Sequence, residues 1–65
     1  MRVISFDRLA AEKGIGYSRD HLRRLVKAGK FPRPIPLSES RIAWDEAELD
    51  AWLKARAATR EKAAA

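Results

Sequence analysis

Residues 17–34 read YSRDHLRRLVKAGKFPRP, with seven Lys, Arg or His side chains in eighteen positions before the run ends among prolines. Ser18 stands where a helix N-cap is needed, because its hydroxyl can accept from an otherwise orphaned N–H of the first turn. Leu22, Leu25 and Val26 then recur at helical spacing, and Gly29 follows as a residue that takes a left-handed C′ conformation without steric cost. The spacing predicts a helix over 19–28. At about 100° per residue, Asp20, Arg23, Arg24 and Lys27 fall opposite the narrow apolar stripe, with Arg19 and His21 on its flanks. Such a helix is anchored along one seam and presents cations along the other.

Upstream, Ser5 reads as a second N-cap, and Phe6, Leu9 and Ala10 at i, i+3 and i+4 predict a short first helix over 6–13. Gly14 and Gly16 end it, leaving Tyr17 in a tight connection. Downstream, Phe31, Pro32, Pro34 and Pro36 are incompatible with helix. Ile35 and Leu37, then Ile42 and Trp44, alternate around Ser38-Glu39-Ser40 as the two strands of a hairpin do, and its proline-bearing strand belongs at a sheet edge. Asp45 and Glu48 have capping-box spacing and open a third helix whose buried face is Leu49, Trp52 and Leu53. Residues 57–65, AATREKAAA, favour helix but have little to bury, and read as a C-terminal extension.

The predicted fold class is therefore mainly α with a small β-hairpin, in the order helix, tight turn, helix, hairpin, helix. Two short helices about a glycine-bearing turn match a helix-turn-helix, and the hairpin is its wing. With 65 residues there is room for one such domain, over 1–56, and for no buried enzyme pocket. Phe31, Trp44 and Trp52 are assigned to its core.

Fourteen Lys and Arg against nine Asp and Glu leave a net charge of +5, which favours a polyanionic partner. No apolar run approaches the roughly 18 residues of a spanning helix, and no signal-peptide h-region follows Met1, so a membrane role is not expected and the cytoplasm is. There is no Cys and a single His, which removes disulfides and the common zinc ligand sets. The acids Asp45, Glu46, Glu48 and Asp50 are not accompanied by a nucleophile, metal set or phosphate loop, so they read as caps and solubilising groups. No catalytic residue, metal or cofactor is expected.

The run from Ser18 to Leu53, with SRDHLRRLVKAGKFPRPI, RIAW and DEAELDAWL in that order, resembles the AlpA-type phage regulators and excisionase-like proteins, a branch related to the MerR-type winged helix-turn-helix. The resemblance extends over roughly residues 5 to 56. It implies a DNA-binding domain with Arg19, Asp20, His21, Arg23 and Arg24 as candidate base contacts, and Tyr17, Ser18, Lys27, Lys30, Arg33 and Arg41 as candidate backbone contacts. Where many relatives carry glycines at the hairpin tip, this chain has Ser38-Glu39-Ser40; Glu39 repels phosphate and argues against a tip that enters the minor groove.

Arginine grips guanine O6 and N7 with two bonds, which singles out Arg23 and Arg24, whereas lysines serve as point charges at phosphates. Asp20 suits the helix N-terminus or an arginine neighbour, His21 is expected to pack partly, and Tyr17 fits a phosphate contact and a plug over the core equally well. The expected function is a regulator of a phage, prophage or integrative element, acting on transcription or as an excisionase. Its expected partners are double-stranded DNA, further copies of itself on adjacent sites, and an integrase if the output is excision. The rival is an adapter whose basic helix binds an acidic protein.

Overall fold

The computed structural model describes residues 1–64, with side chains through Arg60, so Ala65 of the expected extension lies outside the described residues. Three strands and three helices follow one another along the described residues: β1 (Val3–Ser5), a 3-10 turn (Phe6–Arg8) running into α1 (Leu9–Lys13), α2 (Arg19–Lys27), β2 (Ile35–Pro36), β3 (Ile42–Asp45) and α3 (Glu46–Ala64). The strands form one antiparallel sheet in the order β1-β3-β2. The architecture is mixed α/β, with three helices against a small antiparallel sheet, and is compatible with a winged helix.

The hairpin expected from Ile35 to Trp44 is present, with Ile35 opposite Ala43 and Pro36 opposite Ile42. Because β2 is an edge, Pro36 lacks a donor only where the ladder ends. Its turn closes through the Arg41 carbonyl, which accepts from Leu37 N–H at 2.8 Å and Ser38 N–H at 3.3 Å.

The third strand was not expected. Val3, Ile4 and Ser5 pair with Asp45, Trp44 and Ala43, and Glu46 N–H continues the ladder by donating to the Arg2 carbonyl at 2.8 Å. This makes β3 central, and both Ala43 and Trp44 are buried although they point to opposite faces. Ser5 is thus the last residue of a strand; its backbone is extended, but its hydroxyl makes no cap hydrogen bond. Asp45 is likewise the last residue of a strand, β3, and directly precedes the first residue of α3, Glu46.

Leu9 is buried as expected, but Ala10 is exposed, and the place expected for it is taken from further along the chain. Gly14, at φ 70°, turns the backbone so that Ile15 N–H reaches the Leu9 carbonyl at 3.2 Å and the Ile15 side chain enters the core. A single cluster results from Ile4, Leu9, Ile15, Leu22, Phe31, Trp44 and Leu49, with Phe6, Leu25, Val26, Ile42, Trp52 and Leu53 packed against it. Each aliphatic or aromatic side chain fully buried there contributes about 1.5–3 kcal/mol. α3 continues through 19 residues, about 28 Å, well past its last packed residue, Leu53. Its alanine-rich end, read from sequence as an extension that favours helix, is helical through Ala64.

Candidate nucleic-acid interface

α2 is built as its residues require. The Ser18 hydroxyl accepts from His21 N–H at 3.2 Å, closing the first turn, with Asp20 complementing the positive end. At the other end Gly29, at φ 73°, donates to the Val26 carbonyl at 3.0 Å while Lys30 N–H reaches Leu25 at 2.8 Å, the paired bonds of a Schellman motif. Leu22 is fully buried, and Leu25 and Val26 are half-buried beside it. Every charged residue of the helix is exposed.

The chain leaving α2 is clamped. Phe31 is buried between two indoles, edge-on to Trp44 at 5.6 Å and to Trp52 at 4.8 Å between ring centroids. The same indoles donate to the backbone on either side, Trp52 Nε1 to the Lys30 carbonyl at 2.7 Å and Trp44 Nε1 to the Pro32 carbonyl at 2.8 Å. Trp52 remains half-buried, so the expected aromatic core is two buried rings and one at its margin. This clamp determines where the hairpin stands relative to α2.

Between them lies an open groove of about 550 Å³. Arg19, Arg23 and Lys27, at i, i+4 and i+8, form one wall; Pro34, Glu39 and Ser40 belong to the other; Val26, Ile42 and Trp44 line the apolar part. Arg19 also lies over the Phe6 ring, 4.5 Å from its centroid, a cation–π contact that holds its stem down. Asp20 and Arg24 are further round the helix, outside the groove. Arg24 Nε approaches the Asp20 carbonyl at 3.5 Å, a weak contact, and the Asp20 carboxylate makes no ion pair with it among the described residues. On the opposite flank His21 meets Tyr17 edge-on at 4.5 Å between centroids. Tyr17 is 40% exposed and lines a cleft with Trp52, Leu53 and Arg56, so its ring is a partial cover.

The residues grouped by sequence thus separate into neighbourhoods. Arg41 borders a small pocket with Arg19, Ser5 and Asp7, close to the groove's Arg19 end. Lys30 faces away, beside Glu48 and Ala51 of α3, and Arg33 is exposed between two half-buried prolines. Sequence reasoning missed Ile42, Pro34 and Phe6 as parts of the α2 surroundings, since no periodicity relates them to that helix. Ile15 did leave a signal, an isolated aliphatic following a C-terminal glycine.

A second set of charges behaves differently. Arg2 bonds Glu12 at 2.7 Å and Glu46 at 2.6 Å, and Lys13 bonds Asp50 at 2.7 Å and Glu46 at 3.1 Å. Hydrogen bonds to Asp50 and then Glu46 raise the Lys13 pKa; the hydrogen bond to Glu12, followed by the charges of Glu12 and Glu46, raises that of Arg2. Two of the acids assigned to caps and solubility, Glu46 and Asp50, therefore tie α3 to α1 and to Arg2, the residue before β1. None of the cations of α2 has a carboxylate within ion-pair distance among the described residues, although Glu39 borders the same groove.

No helix is long and apolar enough to cross a membrane, and no group of three or more His, Cys, Asp or Glu comes together to hold a metal among the described residues. A family model described as "Prophage CP4-57 regulatory protein (AlpA)" matches residues 8–57. The chain is 34% identical over 47 residues to "Uncharacterized protein ORF88" of Enterobacteria phage P4, an alignment covering 72% of this chain and 53% of that one. It thus spans about half the length of the curated relative it matches. No solved structure matches it.

Proposed function

The chain belongs to the prophage regulatory protein (AlpA) family, and from that premise we propose that it is a sequence-specific DNA-binding regulator of a phage, prophage or integrative element. Residues 1–56 act as a winged helix-turn-helix in which α1 braces, α2 enters the major groove and the β2–β3 hairpin is the wing. The observation that supports this most directly is the division of α2: a buried Leu22 seam on one side, and exposed cations without carboxylate partners among the described residues on the other.

No bond chemistry is involved. Tyr17, Ser18, Lys27, Lys30, Arg33 and Arg41 are the candidate phosphate contacts that dock the domain, and Arg19, Asp20, His21, Arg23 and Arg24 are the candidate residues facing bases. One domain covers few base pairs, so useful specificity comes from a dimer or a row of protomers, which also bends or wraps the DNA. The output is transcriptional control or, with an integrase as partner, excision, and the site of action is the cytoplasm.

Selection of bound duplexes from a random pool, followed by footprinting of the best one, tests the proposal. A recurring short motif is expected, with affinity falling steeply as salt rises, at a slope near −4 to −5 if about five phosphates are neutralised per protomer. Recovery of no preferred sequence, together with tight capture by an acidic protein, would instead identify an adapter.

A further inference from the structure

We propose that the groove between α2 and the hairpin seats one sugar–phosphate strand of the DNA duplex, so that Arg19, Arg23 and Lys27 grip the backbone while the outward pair Asp20 and Arg24 faces the bases. This rests on the DNA-binding reading above and refines it: Arg19 and Arg23, candidates there for facing bases, are assigned to the backbone together with Lys27, and the base-facing role is left to Asp20 and Arg24.

The first support is the disposition of charge. Arg19, Arg23 and Lys27 line one wall at successive turns, a row of about 12 Å. Successive phosphates of one strand are about 6–7 Å apart along the winding backbone, so a row of that length meets two or three. Among the described residues none of the three is within ion-pair distance of a carboxylate, so no internal partner must be displaced.

The second support is the rest of the lining. Val26, Ile42 and Pro34 supply an apolar surface suited to deoxyribose, which has no charge to satisfy, and present no array of donors and acceptors that would read base edges. The third is location: a strand lying between a helix and its wing is the wall of the groove that the helix enters. Arg24 lies beyond the row by one helical step, at the part of α2 furthest round from the Leu22 seam, where a side chain inserted into the major groove meets base edges. Among the described residues Glu39 is the one carboxylate lining the groove, and its charge opposes a strand there, which makes it a brake on indiscriminate binding.

The test measures wild type, Arg23→Ala, Lys27→Ala, Arg24→Ala and Glu39→Gln against the selected duplex and an unrelated duplex across a salt series. Arg23→Ala and Lys27→Ala should each weaken both duplexes by about tenfold and reduce the salt slope by about one. Arg24→Ala should lower affinity for the selected duplex alone and relax preference at one position. Glu39→Gln should tighten both duplexes a few-fold. If Arg23→Ala abolishes base preference while leaving the unrelated duplex unaffected, or if Glu39→Gln weakens binding, the groove does not hold a backbone and the division of roles is overturned. If wild-type protein binds neither duplex, the DNA-binding reading falls and this inference with it.

Discussion

Two clusters of cations lie on this small molecule, and they differ in what stands opposite them. Arg2 and Lys13 pair with Glu12, Glu46 and Asp50 at 2.6–3.1 Å, in a network that joins the residue before β1, α1 and the start of α3. Arg19, Arg23 and Lys27 face a groove in which Glu39 is near enough to line the other wall but not to pair. Cations of the first kind hold elements together; those of the second keep their attraction for an outside anion. The comparison teaches that a net charge of +5 says little about function until each charge is placed.

The strongest way to break the contrast is to remove what both regions share. Phe31→Ala deletes the ring between Trp44 and Trp52 and should destabilise the fold by about 3–5 kcal/mol, read as a lower urea midpoint, with loss of DNA affinity following from unfolding. A sharper separation comes from Arg23→Glu, which should lower duplex affinity by about a hundredfold and leave the thermal midpoint near wild type, since Arg23 is exposed and forms no ion pair among the described residues. Lys13→Met should invert that pattern: the thermal midpoint falls by a few degrees while binding stays within about twofold. If Lys13→Met impairs binding as severely as Arg23→Glu does, the two clusters are not functionally distinct.

The smallest effect is one of pH. The folded-state pKa of Lys13 is raised, first by its hydrogen bond to Asp50, so its contribution is fully present below the ordinary lysine value of 10.5 and is lost as pH rises through the higher folded value. The stability difference between wild type and Lys13→Met should therefore be constant from neutral pH into the mildly alkaline range and shrink only above 10.5. Paired urea titrations at several pH values measure it; a difference that closes between pH 7 and 9 would assign the effect to some other group.

The parts of the fold legible in sequence were the local ones. Ser18, the Leu22 stripe and Gly29 define α2 through contacts within a turn or two, and each behaves as its chemistry requires. Ile35 to Trp44 likewise announce a hairpin through alternation around a short polar tip. β1 was not legible, because three residues carry almost no periodic signal and their partner strand lies some forty positions later. Ser5 looked like a cap for the same reason: a strand's extended last residue and an N-cap share a backbone conformation.

The candidate site shows the same limit. Periodicity placed Arg23, Arg24 and Lys27 on the exposed side of α2 but could not say which neighbour each would meet. That depends on the course of residues 30–36, set by two indole hydrogen bonds and a buried phenyl ring. The ion network was hidden too, since Arg2 and Glu46 are 44 positions apart. Residues 57–65 read as an alanine-rich extension with little to bury, and intrinsic alanine propensity carries α3 past Leu53, its last residue packed on the core among the described residues.

The paired indole anchors on either side of Phe31 have a kinetic and calorimetric consequence. They fix the spacing of helix and hairpin before any ligand arrives, so the jaw needs little rearrangement on closing over its target. Association should then be governed by encounter, with a rate that drops as added electrolyte damps long-range attraction and no slow isomerisation following contact. Loosening either anchor would turn a preset calliper into a hinge, and the entropic penalty would emerge as a slower, more exothermic association.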